Sequence, residues 1–309
     1  MRWVLTDDRG DVAPVAARLE LRARAGIALL GSQVVVHGLD LHYDCEDLGF
    51  VHYLLFCVTG RRADPRHARV LERLWVSTGY PDARIWCNRI AGYMGSARVD
   101  PGLAMSAAVA ASNSVTYGFI ALREAYRAQQ AMPEPLPERE RWFRQKMREG
   151  ALIHGYGRPI HGHDERIAAA LQSLLDAGLR AGPHLQRAFW LHRVLFDEKA
   201  IEMNISAVWA ALALDFGIAA SEYEQFMLLM FAPGYAAVYA DQRGRPPLSF
   251  LAGHQTHPQA SLATATRPLD GLEVTPAAVE RCCPVPPLRS AASDPDRRVS
   301  AAARSPCAE

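Results

Sequence analysis

Helical punctuation constrains this chain more than any other feature. From Phe50 onward, apolar residues recur at helical spacing with little alternation of period two, and capping residues, prolines and glycines fall where helices start and stop. Phe50 to Val58 reads as a buried helical stretch ended by Gly60, and Pro65 with Arg66 opens another through Val70, Leu71 and Leu74. Asp100-Pro101 is the strongest start, because an aspartate can cap free N–H groups and a proline loses nothing at the first helical position. The Ala- and Ser-rich run Leu103 to Val109 that follows predicts a tightly packed core helix.

Prolines at 133, 135 and 137 mark a connection over residues 129 to 138, leading into a charged helix around Arg139 to Arg148. Asp164 begins an amphipathic helix with Ile167, Leu171, Leu174 and Leu175 on one face, ended by Gly178. A further helix runs from Ile205 through Trp209 and Leu212 to Gly217. The next is predicted to start with a capping box, Ser221 reciprocated by Glu224. Only the first 50 residues carry strand-like segments, with Val34 to Val36 β-branched and Gly38 a turn signal. This pattern disfavours doubly wound and sandwich folds. After about residue 255 the chain repeats Ala, Pro, Ser, Arg and Asp, a composition that predicts disorder or loose attachment for residues 256–309.

With 34 basic against 33 acidic residues, no global field favours nucleic acid or an anionic membrane. No apolar run approaches the roughly 20 residues that span a bilayer, and the acidic N-terminus is not read as a secretory signal. Six cysteines without metal-site spacing read as unpaired thiols in a reducing cytoplasm, with Cys45, Cys57 and Cys87 buried.

Three segments, in order and spacing, resemble citrate synthase and its relatives. They are Gly95-Ser96-Ala97-Arg98-Val99-Asp100-Pro101 followed by Tyr117-Gly118, then Gly155-Tyr156-Gly157-Arg158-Pro159-Ile160-His161-Gly162-His163-Asp164-Glu165-Arg166, then Met203-Asn204-Ile205-Ser206 followed by Gly234-Tyr235. Gly38 to Leu48 and Arg245-Pro246 extend the resemblance to about residues 30 to 255. It implies an all-α, citrate-synthase-like fold. A large helical domain (1–118 and 225–255) would carry an inserted small helical domain (119–224), with a cleft between them and a homodimeric assembly.

The resemblance also implies chemistry on an acyl-CoA as cosubstrate with a small carboxylate, without a tightly bound cofactor or metal. Relatives use a carboxylate to remove the methyl proton of a thioester and two histidines to stabilise the enolate and assist at the keto oxygen. Those three positions here are Ser206, Tyr117 and Arg158. Tyr117 can donate to an enolate oxygen or simply pack, and its pKa of about 10 makes it a poor proton shuttle. Arg158 stays charged, so it can bind a carboxylate or oxyanion but is no ordinary general acid. Ser206 cannot abstract an α-proton unaided, and it can alternatively cap the helix that follows.

Among the carboxylate-holding positions, Arg166 and Arg245 persist, whereas the position three residues before Gly234 is Phe231. Asn204 is a candidate substrate contact and Gly155 and Gly157 the turn against the CoA, while His154, just before Gly155, is either a substrate contact or a plain structural histidine. His161 and His163 offer a relocated acid or base, an i,i+2 ligand pair, or plain surface histidines. Three functions stay open: a divergent acyltransferase or lyase acting on a thioester, a noncatalytic pseudoenzyme that binds a CoA ester or small carboxylate, and a biosynthetic enzyme with a non-CoA substrate.

Overall fold

The computed structural model describes residues 25–29, 33–115, 118–158, 163–247 and 249. A small antiparallel sheet comes first, with β1 (Gly26–Leu29), β2 (Gln33–Val36) and β3 (Leu39–Asp40) in sequential order. His37 and Gly38, with φ of 47° and 84°, form a two-residue turn that pairs Val36 with Leu39. Positive φ at both central positions is what a tight hairpin turn demands. The strand at Val34–Val36 and the turn at Gly38 thus fall where the sequence puts them.

The rest is helical: α1 (Phe50–Thr59), α2 (Pro65–Thr78), α3 (Trp86–Ser96), α4 (Pro101–Ala111), α5 (Phe119–Ala131), α6 (Leu136–Arg148), α7 (Glu165–Asp176), α8 (Pro183–Lys199), α9 (Ile205–Asp215), α10 (Ala220–Met227) and α11 (Ala232–Arg243). The predicted starts are built as expected. Asp100 accepts from the Gly102 N–H at 2.8 Å, and Asp164 accepts from the Arg166 N–H at 3.2 Å. Gly60 ends α1 in the left-handed conformation.

At the centre lies α9, in which Ile205 and every residue from Ala207 to Ala213 are buried. It packs against α5, α8 and α7. Its Trp209 indole donates to Thr78 at the end of α2 and meets Phe226 of α10 at 6.4 Å, while Phe226 also receives the edge of Trp75 at 5.3 Å. One continuous apolar core therefore runs from Val51 in α1 to Tyr239 in α11. The pair α3–α11 packs most intimately. A side chain at Gly95 would lie 2.5 Å from the Tyr239 carbonyl, so only glycine permits that approach.

Two expectations need correction. In the single chain α4 buries only Ala104 and Ala108 and leaves Leu103, Ser106 and Ala110 exposed, because a helix of small residues has one narrow contact stripe. The box expected from Ser221 and Glu224 is displaced: α10 starts at Ala220, and Glu222 reaches back to the Ala219 N–H at 2.8 Å. Arg61 grips the same carboxylate at 2.9 Å and so anchors this earlier start. Cys45 and Cys87 are buried and Cys57 half-buried, all three as free thiols. Cys282, Cys283, Cys307 and the segment 256–309 lie outside the described residues.

Candidate functional site

The segments Gly155–Arg158 and Met203–Ser206 are joined edge to edge. Tyr156 and Met203 form an antiparallel bridge, flanked by Asn204 N–H to Gly155 O at 2.9 Å and Gly157 N–H to Glu202 O at 2.7 Å. Asn204 locks the junction from both sides. Its Nδ2 donates to Gly157 O at 2.8 Å, and its Oδ1 accepts from the Ser206 N–H at 2.9 Å as the cap of α9. Gly155 has φ of 95°, and a side chain there would come within 2.9 Å of Ala207 Cβ. The glycine therefore answers both the turn geometry and the close approach to α9.

Buried groups brace this junction from behind. The Tyr156 hydroxyl donates to Ala188 O and accepts from Gln129 Nε2, both at 3.0 Å, which ties the turn to α8 and α5. His192 Nδ1 accepts from the Met203 N–H at 3.1 Å. That bond requires a neutral ring, and burial pushes the His192 pKa down accordingly.

A second knot lies at the start of α7. The Asp164 carboxylate, fully buried, accepts from Arg166 Nε at 2.7 Å and Nη2 at 2.6 Å and from the Ile205 N–H at 2.8 Å. One carboxylate thus serves the first turns of α7 and α9 and neutralises a guanidinium that is itself only 10% exposed. Arg166 also lies over the Tyr80 ring, 5.1 Å from its centroid. Next to it, Glu165 accepts from the Tyr80 hydroxyl at 2.5 Å and from Arg158 Nη1 at 3.1 Å, and the same Nη1 reaches His163 O at 3.1 Å. Burial works to raise the Glu165 carboxyl. The Tyr80 hydroxyl, its own N–H and Arg158 outweigh it and hold the group at about 2.

These bonds link Gly155, Gly157, Arg158, His163, Arg166 and Asn204 into one constellation. Ser206 is half-buried at the second position of α9, and the cap that the sequence offered to it belongs to Asn204, one residue outside the helix. His154 is half-buried beside Gly155, and the His163 side chain is exposed. Arg245 is not part of the constellation: it follows α11, pairs with Asp241 at 2.9 Å, and its carbonyl receives Arg98 at 2.7 Å. Phe231 is buried between Phe119 and Tyr235, at 5.5 and 6.4 Å, so its ring fills apolar volume. Tyr117 and His161 lie outside the described residues. The sequence reading missed Tyr80 and His192 and took Asp164 only as a cap.

Against protein-family models and curated protein sequences, the chain matches none. Solved structures do match. Citryl-CoA lyase from Hydrogenobacter thermophilus superposes with a TM-score of 0.65 at 18% identity, covering 80% of this chain and 95% of that one. The chain has the citrate-synthase-like fold. Citrate synthase from Thermotoga maritima matches with a TM-score of 0.52 at 17% identity, over 63% of this chain and 54% of that one. ATP citrate lyase from Methanothrix soehngenii matches with a TM-score of 0.62 at 13% identity, over 86% of this chain and 46% of that one. The chain therefore spans nearly the whole lyase but only about half the length of the other two.

On this citrate-synthase-like frame the junction is rich in donors and poor in bases. The Nε and Nη2 groups of Arg158 hydrogen-bond no described residue. Both nearby carboxylates are engaged as ion-pair acceptors, and a carboxylate with a pKa of about 2 is a feeble base. Among the described residues no group of three or more His, Cys, Asp or Glu could hold a metal ion, and no helix is long and apolar enough to cross a membrane.

Proposed function

We propose that the chain acts on an acyl thioester, an acyl-CoA or a related carrier-bound acyl group, and forms or breaks a carbon–carbon bond at the junction of Gly155–Arg158 with Asn204–Ser206. The observation that carries this reading is the partly unengaged guanidinium of Arg158, held by Glu165 and His163 O beside that junction. A fixed cation in a half-enclosed site stabilises a developing enolate without having to reorganise. Support also comes from the fold, since the matched lyase of Methanothrix soehngenii was solved with citrate and coenzyme A.

In this reading Arg158 and Tyr117 polarise the thioester carbonyl, Gly155 and Gly157 let the CoA approach the turn, and Ser206 faces the reacting carbon. Proton transfer falls to His161 or His163, because Asp164 and Glu165 are occupied by their arginine partners. Arg166, Asn204 and His154 border the small carboxylate, and Arg245 is contributed across the dimer interface. Residues 119–224 form the small domain across the cleft, and the protein works as a cytoplasmic homodimer.

A second reading, binding of a CoA ester or small carboxylate without turnover, is favoured by the same engaged carboxylates. Mass spectrometry of citryl-CoA alone, and of acetyl-CoA with a panel of keto acids, separates the two when paired with calorimetry. New product or released CoA supports the enzyme, and Arg158→Gln is then expected to slow turnover about a hundredfold or more, as for loss of an oxyanion donor. Binding without product supports the second reading. Neither binding nor product sinks both.

A further inference from the structure

Away from that junction, a cavity of about 330 Å³ opens between the end of α4, the start of α5 and α10. Its walls include Val109, Phe119, Leu122 and Met227, so its body is apolar. A cavity of this size and character, with a few converging polar groups, suits a small ligand.

The polar groups around it keep hydrogen-bonding capacity to spare. Arg123 gives only its Nε to Glu124, at 3.2 Å, and its two terminal nitrogens bond no described residue. Glu224 forms a loose ion pair with Arg127 at 4.0 Å and accepts a hydrogen bond from no described residue. The Asn113 amide makes no hydrogen bond among the described residues. Tyr223, which also lines the cavity, is buried and its hydroxyl has no partner among them.

Charge narrows the ligand. Arg123 and Glu224 line one cavity yet do not pair with each other, so both signs stand at its edge. A simple anion would meet the carboxylate of Glu224, and a simple cation would meet Arg123. A molecule carrying both signs on an apolar body satisfies both. We propose that this cavity, to which no residue of the Gly155–Arg158 or Met203–Ser206 segments contributes a wall, is a binding site for an α-amino acid with an apolar side chain. Its carboxylate forks onto Arg123, its ammonium group meets Glu224, and its side chain fills the space between Val109, Leu122 and Met227. Asn113 completes the polar end.

The test is calorimetry on the full chain with L-leucine, L-methionine and L-phenylalanine, in the absence of any thioester. The controls are 4-methylpentanoate, 3-methylbutylamine and glycine, each lacking one of the three recognised features. At least one apolar amino acid is expected to bind, with every control weaker by about tenfold or more. Arg123→Gln and Glu224→Gln should each weaken it about tenfold, the scale of a lost charged hydrogen bond. Ala110→Phe, at an exposed position on the lining, should block binding with unchanged circular dichroism. Equal binding of 4-methylpentanoate, wild-type affinity in the charge variants, or no binding by any amino acid overturns the proposal. None of these outcomes depends on whether the junction handles thioesters.

Discussion

Replacing Asp164 by alanine should be among the most damaging single changes in this protein. The carboxylate is fully buried and receives Arg166 through two nitrogens at 2.7 and 2.6 Å as well as the Ile205 N–H at 2.8 Å. Removing one partner of a buried ion pair costs about 3–5 kcal/mol, because the other charge is left uncompensated, and Arg166 is only 10% exposed. Loss of the cap on α7 adds about 1 kcal/mol. The expected loss is then about 4–6 kcal/mol, a large share of the 5–15 kcal/mol that holds a typical domain together. Urea unfolding followed by far-ultraviolet circular dichroism measures it as a shift in midpoint. The double variant Asp164→Ala/Arg166→Leu should recover about 2 kcal/mol or more, since the stranded charge is gone. A loss below about 1 kcal/mol, or a double variant no more stable than the single one, would refute the buried-pair reasoning.

Tyr80→Phe removes one of the donors that hold Glu165 at about 2, so its carboxyl should titrate at higher pH, as read by carbon-13 carboxyl shifts. An unmoved midpoint would mean that Arg158 and the helix N–H suffice. Acid should also loosen the junction through His192, whose folded pKa is depressed by burial below the ordinary value of about 6.5. Below that value the unfolded chain binds the proton first, so the stability contributed by neutral His192 is present above it and is lost as pH falls toward the folded pKa. The protection factor of the Met203 amide, bonded to Nδ1, should fall over the same range, and a protection factor that does not change with pH would count against the assignment.

The fold was legible where helix boundaries are local chemistry. Asp100-Pro101, Pro65 and Asp164 mark starts because cap and proline act within one turn. The helix α3 went unread because Gly92 and Gly95 look like loop residues, yet Gly95 is there to let the Tyr239 carbonyl approach. The box in α10 was misplaced because Glu222 is selected by Arg61, which is 161 residues away in the chain. At the site, the order of the glycine turn and the Asn204 segment was visible, and the structure bonds them together. What the sequence could not show is that Asp164 also holds Ile205, a bond across 41 residues. Tyr80 carried no signal either, since a lone tyrosine after a helix end has many uses.

The stitching of Asp164 and Asn204 also bears on mechanics. Through these two side chains the glycine turn, the first turn of α7 and the first turn of α9 form one splint. Behind it lies a helix buried along nearly its whole length. A splint cannot bend at its own joint, so a ligand that pulls on Arg158 moves α7 and α9 as a single lever.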